Sequence, residues 1–138
     1  MGKLDVEYRT GRHCKFLLHV HLVFTPKYRR NVFKSYHLET LKTIFGGVCE
    51  DFGARLVEMD GEHDHVHLLV NYPPNVELSK LVNSLKGVSS RMLRKQHEDI
   101  ESRYWKSVLW SRSYFAASCG GAPIEIIRQY IEQQRTPE

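Results

Sequence analysis

The sequence predicts an α+β protein: a ferredoxin-like, or RRM-like, antiparallel sheet with helices packed on it and one more helix appended at the C-terminal end. Short β-branched runs alternate with segments of helical periodicity in the order βαββαβα, which is the order of that fold plus a last helix. With 138 residues, 41% of them hydrophobic, the chain is long enough for one core and too short for two. We therefore expect residues 1–138 to form a single domain.

Charge and cysteine content narrow the possible class of protein further. The 20 Lys and Arg residues exceed the 16 Asp and Glu residues by a formal +4, which matters for binding only where the charges cluster. Cys14, Cys49 and Cys119 are odd in number and lack metal-type spacing, so neither a disulfide framework nor a zinc cluster is indicated. We expect a reducing, cytoplasmic location, with no signal peptide and no membrane span.

The first 30 residues contain a lead-in, a strand and a basic segment. Residues 1–15 are polar and basic, and we expect them to be flexible. The apolar run 16–25, which contains His19-Val20-His21, predicts a strand that Pro26 closes. One aromatic then stands among three cations: Lys27, Tyr28, Arg29 and Arg30. These four are candidate contacts for a phosphate backbone, although a solvated loop is an equally good interpretation.

An amphipathic helix and a hairpin come next. Apolar residues recur at three- and four-residue steps from about 37 to 52, which predicts a helix that Gly53 ends. The segment 55–59 predicts a second strand, Asp60-Gly61 a turn, and 63–71 a third strand. We expect these two strands to pair.

A second amphipathic helix is predicted from about 77 to 95. At about 100° per residue, a stripe of basic and small residues gathers on the side opposite the apolar one. Small residues let a nucleic-acid backbone come close to a helix, although a merely solvated face is the commoner role of such a stripe. Its members are Lys80, Ser84, Gly87, Arg91, Arg94 and Lys95.

The C-terminal part of the chain supplies the last strand and the last helix. Aromatic residues concentrate between 108 and 118, which predicts one or two further strands. Gly120-Gly121 breaks the chain. Pro123 suits the first turn of a final helix that runs to about Gln134.

The third strand carries the pattern with the clearest chemical meaning. His65 and His67 alternate with apolar residues, so both side chains stand on one face of the strand, roughly 6–7 Å apart at the backbone. That spacing suits two imidazoles that bind one divalent ion. The same pattern recurs at His19-Val20-His21, so spacing alone leaves ordinary sheet histidines as an open alternative. Alternation also predicts that Asp64 points away from the pair and that His63 shares its face. We expect Glu62 to lie in the turn, where alternation is unreliable.

Tyr130 and Gln134 lie one turn apart on the predicted final helix. A phenol with a pKa near 10 attacks a phosphodiester poorly unless the phosphate charge is neutralised. A metal held by His65 and His67 could supply that neutralisation, and the amide oxygen of Gln134 could be a third ligand. A tyrosine that simply packs on the sheet remains the alternative.

Together these residues resemble the TnpA-type single-tyrosine transposases of short bacterial and archaeal insertion sequences, members of the HUH endonuclease class. The resemblance covers nearly the whole chain, and the combination of the histidine pair with the C-terminal Tyr and Gln is its most specific part. The matching motifs are Thr25-Pro26-Lys27-Tyr28-Arg29-Arg30, Asp64-His65-Val66-His67-Leu68, Leu78-Ser79-Lys80, Leu85-Lys86-Gly87, Leu109-Trp110-Ser111, and Tyr130 with Gln134.

The resemblance implies a function and a set of site residues. His65, His67 and Gln134 would bind Mg²⁺ or Mn²⁺, Tyr130 would be the nucleophile, and no nucleotide cofactor would be needed. The substrate would be single-stranded DNA with subterminal hairpins, cleaved through a 5′-phosphotyrosine. The family acts as a homodimer whose active sites are shared between subunits. The histidines at 19 and 21 would then be features of the first strand only.

Two other readings of the same residues stay open. A zinc hydrolase would use His63, His65 and His67 around a bound water and would be indifferent to Tyr130→Phe. A non-catalytic RNA- or DNA-binding domain would stack bases on aromatic residues of the central strands. Fold alone does not separate these possibilities.

Overall fold

The computed structural model describes residues 8–11, 13–104 and 108–118. Within these residues the structure has six strands: β1 Arg9–Thr10, β2 Lys15–Phe16, β3 His19–Phe24, β4 Arg55–Glu62, β5 His65–Asn71 and β6 Phe115–Ser118. The α-helices are α1 Ser35–Asp51, α2 Leu78–Gln96 and the short α3 Glu98–Glu101, and a 3₁₀ turn covers Lys27–Arg29. The predicted βαββαβ order is confirmed within the described residues.

The main sheet has four antiparallel strands in the order β4-β5-β3-β6. The two central strands, β3 and β5, are therefore the first and third long strands of the chain, as a ferredoxin-like fold requires. A separate ladder joins β1 to β2. The expectation of an α+β ferredoxin-like protein is correct.

One face of the sheet forms the core with the two long helices. The side chains of β3 and β5 on this face lie opposite one another in three pairs, and all are fully or almost fully buried: Val20 with Val70, Leu22 with Leu68, and Phe24 with Val66. The helices contribute Leu41 and Phe45 from α1 and Leu81 and Leu85 from α2, all fully buried. These residues lie on the apolar stripes that the periodicity predicted.

The opposite face of the sheet carries the histidines, and we call it the histidine face. Residues directly opposite in an antiparallel pair share a face. His19, His21 and Val23 of β3 lie opposite Asn71, Leu69 and His67 of β5. On the other side of β5, Asp60 and Glu62 of β4 lie opposite His67 and His65. Glu58 of β4 lies opposite Leu69, so the register gathers four histidines and three carboxylates on one face.

The expectation of a flexible lead-in over residues 1–15 is wrong for Arg9–Thr10 and for Lys15. Strand β1 pairs with β2, and the Arg9 guanidinium donates to the Asn71 side chain at 2.6 Å and to the Gly53 carbonyl at 2.9 Å. Gly53 has φ +71°, which glycine adopts without strain, and α1 ends two residues earlier, as predicted.

The predicted turn at Asp60-Gly61 is also wrong, because β4 continues to Glu62 and the turn lies at His63–Asp64. Gly61 lies within the strand, where its lack of a side chain matters for packing and not for a turn. A Cβ at this position would meet the His65 carbonyl oxygen at 3.0 Å and Leu38 of α1 at 3.0 Å. The glycine therefore allows α1 to approach the hairpin closely.

Several expected features lie outside the described residues: Trp105, Cys119, Gly120-Gly121, and the final helix with Tyr130 and Gln134. Among the helices that the structure describes, none has the length and apolar character needed to cross a bilayer.

Two glycine-to-alanine substitutions should have opposite effects on stability. Gly61→Ala should lower the free energy of unfolding by about 1–3 kcal/mol, because the added methyl group meets backbone and the side chain of Leu38, which packs against the core. Gly46→Ala, in α1 where a Cβ would meet nothing within 4 Å, should raise it by roughly 0.5–1 kcal/mol. Urea denaturation measures both, and equal effects would contradict the packing role of Gly61.

Candidate functional site

His65 and His67 lie side by side at one end of β5 on the histidine face. Their ring centroids are 4.8 Å apart and the ring planes are nearly perpendicular, at 88°. Both side chains are half-buried. The alternation predicted from the sequence is correct, and it brings the two imidazoles together without any rearrangement of the strand.

Asp64 contacts His65, although alternation predicted that it would point away. Its Oδ1 lies 2.8 Å from His65 Nδ1. Asp64 lies in the hairpin turn, where strand alternation does not apply. A carboxylate only accepts, so Nδ1 of His65 carries a proton, and in the neutral form of the ring Nε2 carries the lone pair. This is the arrangement of a metal-binding histidine oriented by a carboxylate.

The pKa of Asp64 agrees with an ionised carboxylate. Burial alone would raise this pKa, but the hydrogen bond from His65 and the charges of His65, His63 and Arg29 outweigh burial, so the pKa is lowered. Arg29 Nε lies 3.9 Å from Asp64 Oδ2. The basic segment after the first strand is therefore joined electrostatically to the histidine pair.

His21 is the residue of this site that sequence reasoning missed. Its Nε2 lies 3.3 Å from Nδ1 of His67, and the two rings stack with centroids 5.5 Å apart. One of the two nitrogens must donate, and if His67 Nδ1 does, then His67 Nε2 carries the lone pair. The signal was present in the sequence. Two His-x-His triplets lie on strands that become antiparallel neighbours, but the register was needed to show that they share a face.

The surroundings of His21 and His67 favour the neutral forms of both rings, and two carboxylates lie near His67. Burial and the charge of His67 lower the pKa of His21 to about 4. Burial, then the charge of His65, lowers the pKa of His67, while Asp60 and Glu62 oppose the shift. Glu62 is the last residue of β4 and lies opposite His65, so the expectation that it lies in the turn is wrong. The two carboxylates supply negative charge that imidazoles lack as ligands for a divalent ion.

His63 occupies the hairpin turn and is exposed. Its carbonyl oxygen accepts hydrogen bonds from the N–H groups of Val32 and Phe33 at 2.9 and 3.0 Å. Because His63 belongs to neither strand, strand alternation does not put it on the histidine face, contrary to expectation. Its hydrogen bonds to Val32 and Phe33 use its backbone, and its side-chain charge acts on Asp64.

A second group of potential ligands lies on the helix side of the fold. Ligand atoms of His37, His97 and Asp99 all fall within 4.8 Å of one another. However, His37 Nδ1 accepts the N–H of Lys34 at 2.9 Å, so the proton of a neutral His37 ring sits on Nε2, beside Asp99 Oδ2 at 3.0 Å. A protonated nitrogen offers no lone pair to a cation. We therefore interpret this group as a structural link between α1 and α3.

The predicted DNA-contact residues occupy two surfaces. The turn presents Lys27, Tyr28 and Arg30 exposed and Arg29 half-buried. On α2, Lys80, Arg91 and Lys95 are exposed, whereas Arg94 is half-buried and its Nε is inaccessible to solvent. Arg94 is therefore a weaker candidate than the other three.

Comparison with known proteins identifies the family. The family described as "Transposase IS200 like" matches residues 14–134. The chain belongs to the IS200-like transposase family. Its relatives include the transposase for insertion sequence element IS200 of Salmonella typhimurium, 33% identical over 97% of this chain and 85% of the relative. The ISDra2 transposase TnpA of Deinococcus radiodurans is 30% identical over 98% of this chain and 96% of the relative.

Solved structures agree with the IS200-like assignment. A crystal structure of a candidate transposase from Deinococcus radiodurans has a TM-score of 0.74 and 29% identity, and covers 94% of this chain and 99% of that one. A tyrosine transposase described as bound to a REP hairpin has a TM-score of 0.56 at 11% identity, and covers 96% of this chain and 69% of that one. This second likeness concerns the fold alone.

The link between α1 and α3 predicts a pH dependence of stability. Burial is the largest influence on His37 and lowers its pKa, although Asp99 opposes the shift. The unfolded chain therefore binds this proton near pH 6.5 and the folded chain only at lower pH, so His37 contributes stability at neutral pH that is lost as the pH falls below about 6.5. Gln accepts the same backbone N–H without titrating.

The measurement is urea denaturation at pH 7.5 and pH 5. Wild-type protein should lose more unfolding free energy between the two values than His37→Gln does. Equal losses in the two proteins would contradict the role of His37.

Proposed function

We propose that this chain cleaves and rejoins single-stranded DNA at insertion-sequence ends through a 5′-phosphotyrosine on Tyr130. Membership of the IS200-like transposase family supports a DNA-cleaving, strand-joining enzyme. The fold that the chain shares with a tyrosine transposase described as bound to a REP hairpin is consistent with recognition of subterminal DNA hairpins. The proposed enzyme is a single domain that acts in the cytoplasm without a nucleotide cofactor.

The observation that carries the proposal is the histidine pair with both Nδ1 atoms engaged. Asp64 holds Nδ1 of His65 at 2.8 Å and His21 contacts Nδ1 of His67 at 3.3 Å. Nε2 of His65 is then available as a ligand, as is Nε2 of His67 when its Nδ1 donates to His21, and each ring orientation is fixed by a partner. The donor set therefore suits a divalent cation, Mg²⁺ or Mn²⁺, with Gln134 as the proposed third protein ligand.

The bound cation would neutralise charge on the scissile phosphate and polarise its oxygens. The phenol oxygen of Tyr130 attacks phosphorus, its proton is lost, and the 3′-oxygen leaves as a hydroxyl after gaining a proton. A later 3′-hydroxyl attacks the phosphotyrosine and restores Tyr130. The number of phosphodiester-type bonds is conserved in each step, so strand transfer needs no ATP. Asp64 and His21 act as positioning residues for the two rings.

Two basic surfaces are proposed to hold the DNA. Lys27, Tyr28, Arg29 and Arg30 lie beside the histidine face, and Lys80, Arg91, Arg94 and Lys95 lie along α2. The proposed assembly is a homodimer in which Tyr130 of one subunit serves the histidines of the other. Mixed dimers of Tyr130→Phe and His65→Ala chains test this arrangement, because only a site shared between subunits restores cleavage.

The direct test is a denaturing gel of labelled single-stranded DNA from the flanks of its own gene, incubated with protein and Mg²⁺. Wild-type protein should give a protein–DNA adduct, and Tyr130→Phe should give none. His65→Ala and His67→Ala should each lower adduct formation at least about 100-fold, because the cation contributes several kcal/mol.

The matched control is His63→Ala, which removes the neighbouring turn histidine and should leave the adduct unchanged. Cleavage without an adduct, unaffected by Tyr130→Phe, would replace this proposal with the metal-dependent hydrolase.

A further inference from the structure

A pocket of about 270 Å³ opens next to the histidine face. Val23, which lies opposite His67 in the sheet, forms part of its wall. Arg29 forms another part and lies 3.9 Å from Asp64, the partner of His65. The pocket therefore lies close to both histidines of the proposed catalytic site. Val23 is the neighbour of His67 in the sheet, and the Arg29–Asp64 ion pair leads to His65.

The lining of this pocket combines aromatic rings with hydroxyl groups. Tyr28 and Tyr114 line it and are large aromatic residues exposed to solvent, at 70% and 38%. Three hydroxyl side chains complete its polar lining: Thr25, Ser111 and Ser113. Among the residues that the structure describes, no carboxylate lines the pocket. This composition suits a planar group that forms hydrogen bonds and has a negatively charged group next to it.

Cations surround the two tyrosines. Lys27 Nζ and the Arg30 guanidinium lie 5.5 and 5.1 Å from the centroid of the Tyr28 ring. Lys86 Nζ lies 5.3 Å from that of Tyr114. Single-stranded nucleic acids bind where aromatic side chains stack with bases and cations follow the backbone. The pocket has both features within one short stretch of surface.

Tyr28 holds its exposed position in a backbone conformation that costs free energy. Tyr28 has φ +66° and Arg29 has φ +52°, a left-handed region that bulky residues rarely occupy. Burial of the ring cannot compensate, because most of it is exposed. Such strain persists when surrounding contacts fix the backbone, and it concentrates at binding sites.

Hydrogen bonds tie both walls of the pocket to neighbouring segments. Lys27 N–H donates to the Leu109 carbonyl at 2.7 Å, and the Tyr104 hydroxyl donates to the Lys27 carbonyl at 2.8 Å. Lys86 Nζ donates to the carbonyls of Ser111 and Arg112 at 2.7 and 3.1 Å. A pocket held in this way binds with little ordering cost.

From this geometry we propose that the pocket is a subsite for one unpaired nucleobase of the single-stranded DNA next to the scissile phosphate. The base lies against Tyr28 and Tyr114, the hydroxyl groups contact its edge, and Arg29 contacts the adjoining phosphate. The subsite rests on the proposed function and deepens it, because it would select the base at one position of the cleaved strand. It also assigns Tyr28, a candidate contact for a phosphate backbone, to a base of the cleaved strand.

The test measures binding by fluorescence anisotropy in a Tyr130→Phe background, with oligonucleotides from the flanks of the gene that carry one abasic position at a time. One position should lower affinity roughly 5- to 150-fold, the range expected for one stacked base. In Tyr28→Gly and in Tyr114→Leu, the same abasic position should change affinity by no more than about twofold. Lys80→Ala should weaken intact and abasic oligonucleotides equally.

Tyr28→Gly also separates binding from folding. Glycine adopts a φ of +66° without strain, so its thermal midpoint should equal or exceed that of the parent protein. Loss of base selectivity in a protein of unchanged stability is expected only of a binding residue.

The outcomes separate this subsite from the proposed function. If wild-type protein forms the adduct, but no abasic position stands out or its effect persists in both tyrosine variants, the subsite is wrong and the function stands. If no adduct forms, but the abasic effect depends on the tyrosines, the subsite stands and the function is wrong. If the protein binds no single-stranded DNA, both are wrong.

Discussion

The antiparallel register of β3 and β5 is the constraint on which the rest of this structure depends. It sets Val20, Leu22 and Phe24 against the core residues of β5 and sets His21 beside His67 on the opposite face. A slip of one residue would turn every side chain of a strand to the other face, so Val20, Leu22 and Phe24 would leave the core and histidines would take their places. The hydrophobic core therefore fixes the geometry of the histidine site.

The elements and the histidine pair could be predicted from the sequence, because both follow local periodicity. Leu41, Phe45 and Leu85 recur at helical spacing, and His65 and His67 alternate along a strand. What could not be predicted depends on contacts between distant segments. The His21–His67 contact requires the register of two strands 46 residues apart, and the use of Gly61 requires the approach of Leu38. Tyr130 and Gln134 lie outside the described residues and stay predictions.

Asp64 shows a second reason why a prediction from the sequence was wrong. Alternation predicts side-chain direction only within a strand, and Asp64 lies in the turn, where it contacts His65 and Arg29. One carboxylate thus orients a histidine ring and also joins the basic turn at Lys27–Arg29 to the site. Asp64 is therefore shared by the histidine face and the basic turn.

Two histidine clusters compete for the role of metal centre, and proton positions distinguish them. Asp64 keeps the proton of His65 on Nδ1, whereas Lys34 keeps that of His37 on Nε2. The most direct test is to follow the ring signals of the eight histidines by NMR during addition of Mn²⁺, which broadens nearby resonances. The signals of His65 and His67 should broaden first, followed by His21. Earlier broadening of His37 and His97 would contradict the account.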